Sequence, residues 1–260
     1  TTSAEWFGLA IQAASSGIGG VKVSNSGGIL GVDIIDMMMK SDLVGWICTI
    51  VIMLFSIASW AVIILKFIHI TVASRQTKEF LEEGMAGAAT LEEAYKAAAD
   101  YPDSPVSQLL REAYIELDTE GWYNEGYEAD ASGRIELARL GIERVLERTI
   151  ATEIDHMEAY LPFLATTSNV CPFIGLFGTV WGIMAAFQAL GMHGAGNIAS
   201  LAPGLSTALI TTVAGLFAAI PASVAYNYLT SKVKVLTTRM DSFALELSNV
   251  IQKQMAKEQV

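Results

Sequence analysis

From Ala159 to Ser231 the chain has no Asp, Glu, Lys or Arg, and His193 is its only titratable side chain there apart from tyrosines and a cysteine. A hydrocarbon slab ~30 Å thick needs roughly 20 apolar helical residues. A charge-free stretch of this length therefore argues against a soluble domain and for a membrane hairpin. Cysteine is scarce as well: Cys48 and Cys171 both fall in predicted spans, which excludes a structural disulfide framework. Basic residues are outnumbered, 16 Lys and Arg against 27 Asp and Glu, for a net charge of −11. With no basic cluster to offset it, that balance excludes nucleic-acid binding. No GxxxxGK[ST], HExxH, CxxC or GxSxG motif occurs, nor any acid pair at catalytic spacing, and His69, His156 and His193 are isolated. No enzyme activity, cofactor or resident metal is expected from such a set.

The charge-free stretch divides into two apolar passages, about Leu161–Leu190 and Leu205–Leu229, joined by the small, polar Gly191–Gly204. A third apolar run, Leu43–Leu65, lies between Asp42 and Lys66 and is too long and too late for a signal peptide. The expected class is an all-α integral membrane protein with three transmembrane helices, whose long helices extend into a helical cytoplasmic domain. Lys66, Arg75 and Lys78 follow the first span, and Lys232, Lys234 and Arg239 follow the third, whereas the hairpin loop has no cation. The positive-inside rule then puts the N-terminus outside and the C-terminus in the cytoplasm. The expected divisions are an N-terminal periplasmic or interfacial arm (1–42), span one (43–65), the cytoplasmic helical domain (66–158) and span two (159–190). A short periplasmic loop (191–204), span three (205–229) and a cytoplasmic C-terminal helix (230–260) complete the chain.

Within 66–158, Thr90 with Glu93 forms a capping box that opens a helix ending before Pro102. Ser104 with Pro105 at the first helical position opens another, to about Asp118. A Gly- and acid-rich loop, Thr119–Gly133, precedes a long helix from about Arg134, with Arg139–Glu143 and Arg144–Glu147 at ion-pair spacing. That helix is expected to run into span two with a disturbance near Pro162. Past span three, Leu229, Val233, Leu236, Met240, Phe243, Leu247 and Val250 make a stripe at spacings of four and three. It could pack on the cytoplasmic domain of its own chain or between copies.

Both hairpin passages carry stripes of tiny side chains. Gly175, Thr179, Gly182 and Ala186 share one helix face, as do Ala208, Thr212, Gly215, Ala219 and Ala222. Together with Gly178 these are the expected surfaces for packing against a partner helix or another subunit, because small residues let helix backbones approach in lipid. Each stripe has a threonine near mid-membrane. Ion routes through bilayers normally use a buried carboxylate or histidine, and a threonine hydroxyl cannot titrate at physiological pH. If ions pass here, a second chain must supply the acid; the rival reading is a passive scaffold.

The runs Phe55-Ser-Ile-Ala-Ser-Trp-Ala61, Pro172-Phe-Ile-Gly-Leu-Phe-Gly-Thr-Val-Trp-Gly-Ile-Met184, Leu201-Ala-Pro-Gly204, Gly215-Leu-Phe-Ala-Ala-Ile-Pro221 and Ala225-Tyr-Asn227 resemble the MotA/TolQ/ExbB proton channel family. The first run resembles its TolQ branch. The resemblance covers about Ile34 to the C-terminus. It implies a homopentamer in the bacterial inner membrane around the helices of a TolR/ExbD-like partner, which brings the membrane aspartate. It also implies a TolA/TonB-like protein that carries the work across the periplasm, in a Tol-Pal, ExbB-type uptake or gliding role. The family's pathway threonines correspond to Thr179 and Thr212. An acidic residue usual at the start of the third span is Thr207 here, a candidate pathway entrance, and a small apolar residue beside the second threonine is Thr211. Sodium-driven members resemble this chain in having adjacent threonines. A transient Na⁺ at Thr179, Thr211 and Thr212 and proton drive therefore both stay open.

Overall fold

A computed structural model describes residues 43–119, 131–192 and 201–257. The N-terminal arm, the interior of the acid-rich loop and most of the hairpin loop, with His193, lie outside the described residues. The described residues form helices joined by short turns: α1 (Leu43–Glu79), a π-helical turn (Phe80–Gly84), α2 (Leu91–Ala98), α3 (Pro105–Thr119), α4 (Ala131–Glu158), α5 (Leu161–Met192) and α6 (Ala202–Lys257). Three helical stretches, within Leu43–Gly84, Arg139–Gly191 and Gly204–Lys253, are long and apolar enough to cross a membrane. α6 has 56 residues, about 84 Å at a rise of ~1.5 Å per residue. It far exceeds a ~30 Å slab and must project well beyond it.

The caps form where the residues ask for them. The Thr90 hydroxyl accepts from Glu93 N at 3.2 Å, while the Glu93 carboxylate accepts from Ala89 N at 2.8 Å, one residue earlier than a standard capping box. The Ser104 hydroxyl accepts from Ser107 N at 3.2 Å, with Pro105 opening α3. Arg139 and Glu143 pair at 2.6 Å. Arg144 and Glu147, both exposed, do not pair, since a surface ion pair repays little of the entropy of holding two long side chains. α4 begins at Ala131 rather than near Arg134.

The expected disturbance near Pro162 is a full break. α4 ends at Glu158, Tyr160 takes φ +68°, and α5 restarts at Leu161 with Pro162 in its first turn. No intrahelical N–H is lost there, which is why proline is tolerated. Lys66 of α1, 7% exposed, donates its Nζ to the His156 carbonyl at 2.7 Å and lies 5.8 Å from the Tyr160 ring centroid. The first cation after the apolar run of α1 thus caps the last turn of α4.

Beyond the apolar runs, α2, α3, α4 and the far halves of α1 and α6 enclose one core containing Phe80, Leu109, Leu110, Ile142, Leu236 and Met240. The α6 stripe belongs to this core, so it packs on the chain's own helices. Its last member is Ile251, 3% exposed, and not Val250, 51% exposed. A stripe of apolar residues in a 3.6-residue helix drifts round the axis, and a spacing of four follows that drift here.

Candidate functional site

α5 and α6 run antiparallel and meet along their small stripes. A Cβ added at Gly215 would stand 2.5 Å from the Cys171 carbonyl oxygen; at Gly175, 3.0 Å from the Thr211 oxygen and Thr212 Cα; at Gly182, 2.7 Å from Ala208 Cβ. Gly204 faces Ala186 in the same way, at 3.1 Å. The two backbones are therefore in contact, a distance only side chains of this size allow. Ala219, with Ala218, joins Cys171 and α1's Ile52 in a small second cluster, and Ala222 is fully buried. Within the subunit, then, the stripes are used against each other.

At the middle of this seam Thr179 Oγ1 and Thr212 Oγ1 share a short hydrogen bond. Thr179 Oγ1 also lies 3.1 Å from the carbonyl oxygens of Gly175, on its own helix, and Ala208, across the seam. Thr212 Oγ1 reaches the Gly175 oxygen at 3.1 Å. Each hydroxyl has one proton to donate. The pair can therefore run from Thr212 through Thr179 to the Ala208 carbonyl, or from Thr179 through Thr212 to the Gly175 carbonyl. Thr179 is buried and Thr212 half-buried, so the chain of hydroxyls has one side closed by the seam and one partly open.

Thr211 turns elsewhere. It is buried, with its methyl group where a Cβ on Gly178 would be and Cys48 of α1 close by. With Thr207, one turn away, it lines a cavity of about 180 Å³ bounded by Gly45 of α1 and Gly178 and Trp181 of α5. The candidate residues thus separate into a bonded pair, Thr179 with Thr212, and a second pair, Thr207 with Thr211, on another face of α6. Among the described residues no group of three His, Cys, Asp or Glu could hold a metal.

Sequence reasoning missed two contributors. α1 approaches the hairpin through Ile52 and Cys48, buried in a helix that showed only a featureless apolar run. The Cys171 carbonyl is the surface against which Gly215 packs; Pro172 beside it, and a glycine in the facing stripe, were the available signals.

With this geometry the chain can be compared with known proteins. Residues 126–242 match the sequence profile of the MotA/TolQ/ExbB proton channel family. A Tol-Pal system protein TolQ from Haemophilus influenzae is 33% identical over 226 residues, covering 86% of this chain and 95% of that protein. The chain belongs to the MotA/TolQ/ExbB proton channel family. A TolQ from Pseudomonas aeruginosa is 35% identical over 202 residues, 77% of this chain and 84% of that protein. The biopolymer transport protein ExbB of Salmonella typhimurium is 37% identical over a shorter 194 residues, 74% of this chain and 72% of its own. Family membership makes this a channel-type membrane protein rather than an enzyme.

Proposed function

We propose that this chain is a TolQ-type subunit of an inner-membrane motor. It couples the proton motive force, through a TolR-like partner, to work at the outer membrane that maintains the envelope and supports division. The observation that carries this reading is the Thr179–Thr212 pair, a side-chain hydroxyl chain across a charge-free, backbone-tight seam. It offers exchangeable hydrogen bonds but no titratable group, so a carboxylate must come from a second chain. A homopentamer around partner helices, with a periplasmic N-terminus, a cytoplasmic 66–158 region and a cytoplasmic C-terminus, supplies that arrangement. A TolA-like protein would then carry the work outward. Thr179 and Thr212 would line the route, with the exposed faces of the spans against lipid and neighbouring subunits.

Proton drive is favoured over sodium by the separation of Thr211 from the pair. A sodium ion wants several hard oxygens at once, and the Thr211 side chain lies against Gly178 and Cys48. The second functional reading, an ExbB-like subunit energising uptake, is supported by the 37% identity to an ExbB. The test is gradient-driven flux in vesicles containing this chain with its carboxylate-bearing partner. Thr179→Val should abolish the flux while the complex still assembles, and the chain alone should be ion-tight. Full flux through the valine variant would end the channel reading, and Thr211→Ala with lost sodium dependence would restore sodium.

A further inference from the structure

Past the point where their apolar runs end, α1 and α6 lie side by side, both running away from the membrane, and flank an open cavity of about 330 Å³. Its near end is aromatic: the Phe67 and Tyr228 rings stack with centroids 5.9 Å apart. Beyond the rings it is lined by Arg75, Lys78, Lys232 and Arg239, with the hydroxyls of Thr71 and Ser74. Arg75 pairs with Glu79 at 2.7 Å and Lys78 with Glu82 at 3.8 Å, all on exposed side chains where such pairs are weak. Lys232 sits 5.5 Å from the Tyr228 ring centroid. Among the described residues neither it nor Arg239 has a carboxylate partner.

Lys232 and Arg239 thus line the cavity without a carboxylate of their own among the described residues, in a chain of net charge −11, and an anion between them would relieve their mutual repulsion. Ammonium, guanidinium and hydroxyl donors are a phosphate-binding set. The level of the cavity points to which phosphate. Lys232 is the first charge after the run of α6, and Phe67 directly follows Lys66, the first after that of α1, so the cavity stands at headgroup depth with aromatic rings toward the acyl chains. A free anion has no use for that aromatic end. Basic pockets between helices at the cytoplasmic boundary are suited to anionic lipid headgroups.

We propose that this α1–α6 cavity binds the phosphate headgroup of an anionic phospholipid from the adjacent leaflet. It rests on the membrane placement of the helices and not on the ion route. The test is native mass spectrometry of the full chain released from nanodiscs of phosphatidylglycerol or phosphatidylcholine. Phosphatidylglycerol should be retained and phosphatidylcholine lost. Lys232→Gln with Arg239→Gln should weaken retention about 25-fold, at about fivefold per cation, while Lys232→Arg with Arg239→Lys keeps it. On the unaltered protein, about 0.5 M salt should release the lipid by screening, a readout independent of how the variants fold. Equal retention of both lipids, an unaffected glutamine variant or indifference to salt overturns the proposal. Displacement by inorganic phosphate as effective as by short-chain phosphatidylglycerol overturns it in favour of a free-anion site. A chain that does not partition into bilayers at all fails the membrane reading as well, which separates the two failures.

Discussion

The α5–α6 seam and the core below it are held together in opposite ways. The core is filled by large side chains, Phe80, Leu109, Leu110, Ile142, Met157 and Met240, each buried almost completely. The seam is filled by almost nothing: glycine against backbone, alanine against glycine, and two hydroxyls. Meanwhile α5 and α6 turn Phe173, Phe177, Phe187, Val213, Phe217 and Ile220 outward. α6 contains both regimes in one uninterrupted helix, exposing its large residues before about Val224 and burying one stripe of them from Leu229 to Ile251, with Val235, Leu245 and Val250 still outward. The change follows from solvent. In water, burying large apolar groups drives packing; in lipid the surroundings are already apolar, and close van der Waals approach of backbones takes over.

This contrast can be broken from either side. Phe80→Ala should cost about 3–5 kcal/mol, because the cavity it leaves is lined on all sides and cannot collapse fully. Thermal unfolding in detergent should show that loss with the α5–α6 contact intact, read by a cross-link between cysteines placed along the seam. Gly215→Ala removes no atoms and should still cost about 1–3 kcal/mol, since one methyl meets the Cys171 carbonyl and only a shift of backbone relieves it. Lys66→Met should cost about 1–2 kcal/mol by leaving the His156 carbonyl without its buried donor, and faster proteolysis at the α4–α5 break would register it. Thr179→Ser keeps the hydroxyl and should leave flux near the unaltered level, while stability changes by about 1 kcal/mol for the lost methyl.

The smallest effect expected is one of pH. Burial, with the nearby Lys66 charge, pulls the imidazole of His69 below the ordinary histidine range. A base depressed in the folded state binds fewer protons there than in the unfolded chain. Its contribution is therefore present above the ordinary histidine pKa and lost as pH falls through that range. Melting temperatures of the unaltered protein and His69→Gln should converge under acid and separate slightly at neutral pH.

Much of this was legible in the residues. The caps at Thr90 and Ser104, the Arg139–Glu143 pair and the long apolar helices follow from local rules that need no partner. The threonine pairing was half legible: spacing put Thr179 and Thr212 on small faces, but not that those faces meet each other. The separation of Thr211 was not legible, because adjacent residues differ by about 100° round a helix and only the neighbours decide what each direction means. The break at Tyr160 was legible as a disturbance near Pro162 but its donor was not, because Lys66 lies some ninety positions away from His156 in sequence.

By itself the amino-acid order determined where water cannot be. Seventy-odd positions without a charge admit helices in lipid and little else, since every backbone polar group there must be satisfied within its own segment. Tertiary structure alone decided what each apolar stripe covers: the α6 stripe its own chain's core, and the two small stripes one another. The reason is that apolar attraction has no direction. A stripe of leucines or glycines states that a face will be covered, and only the assembled fold says by what.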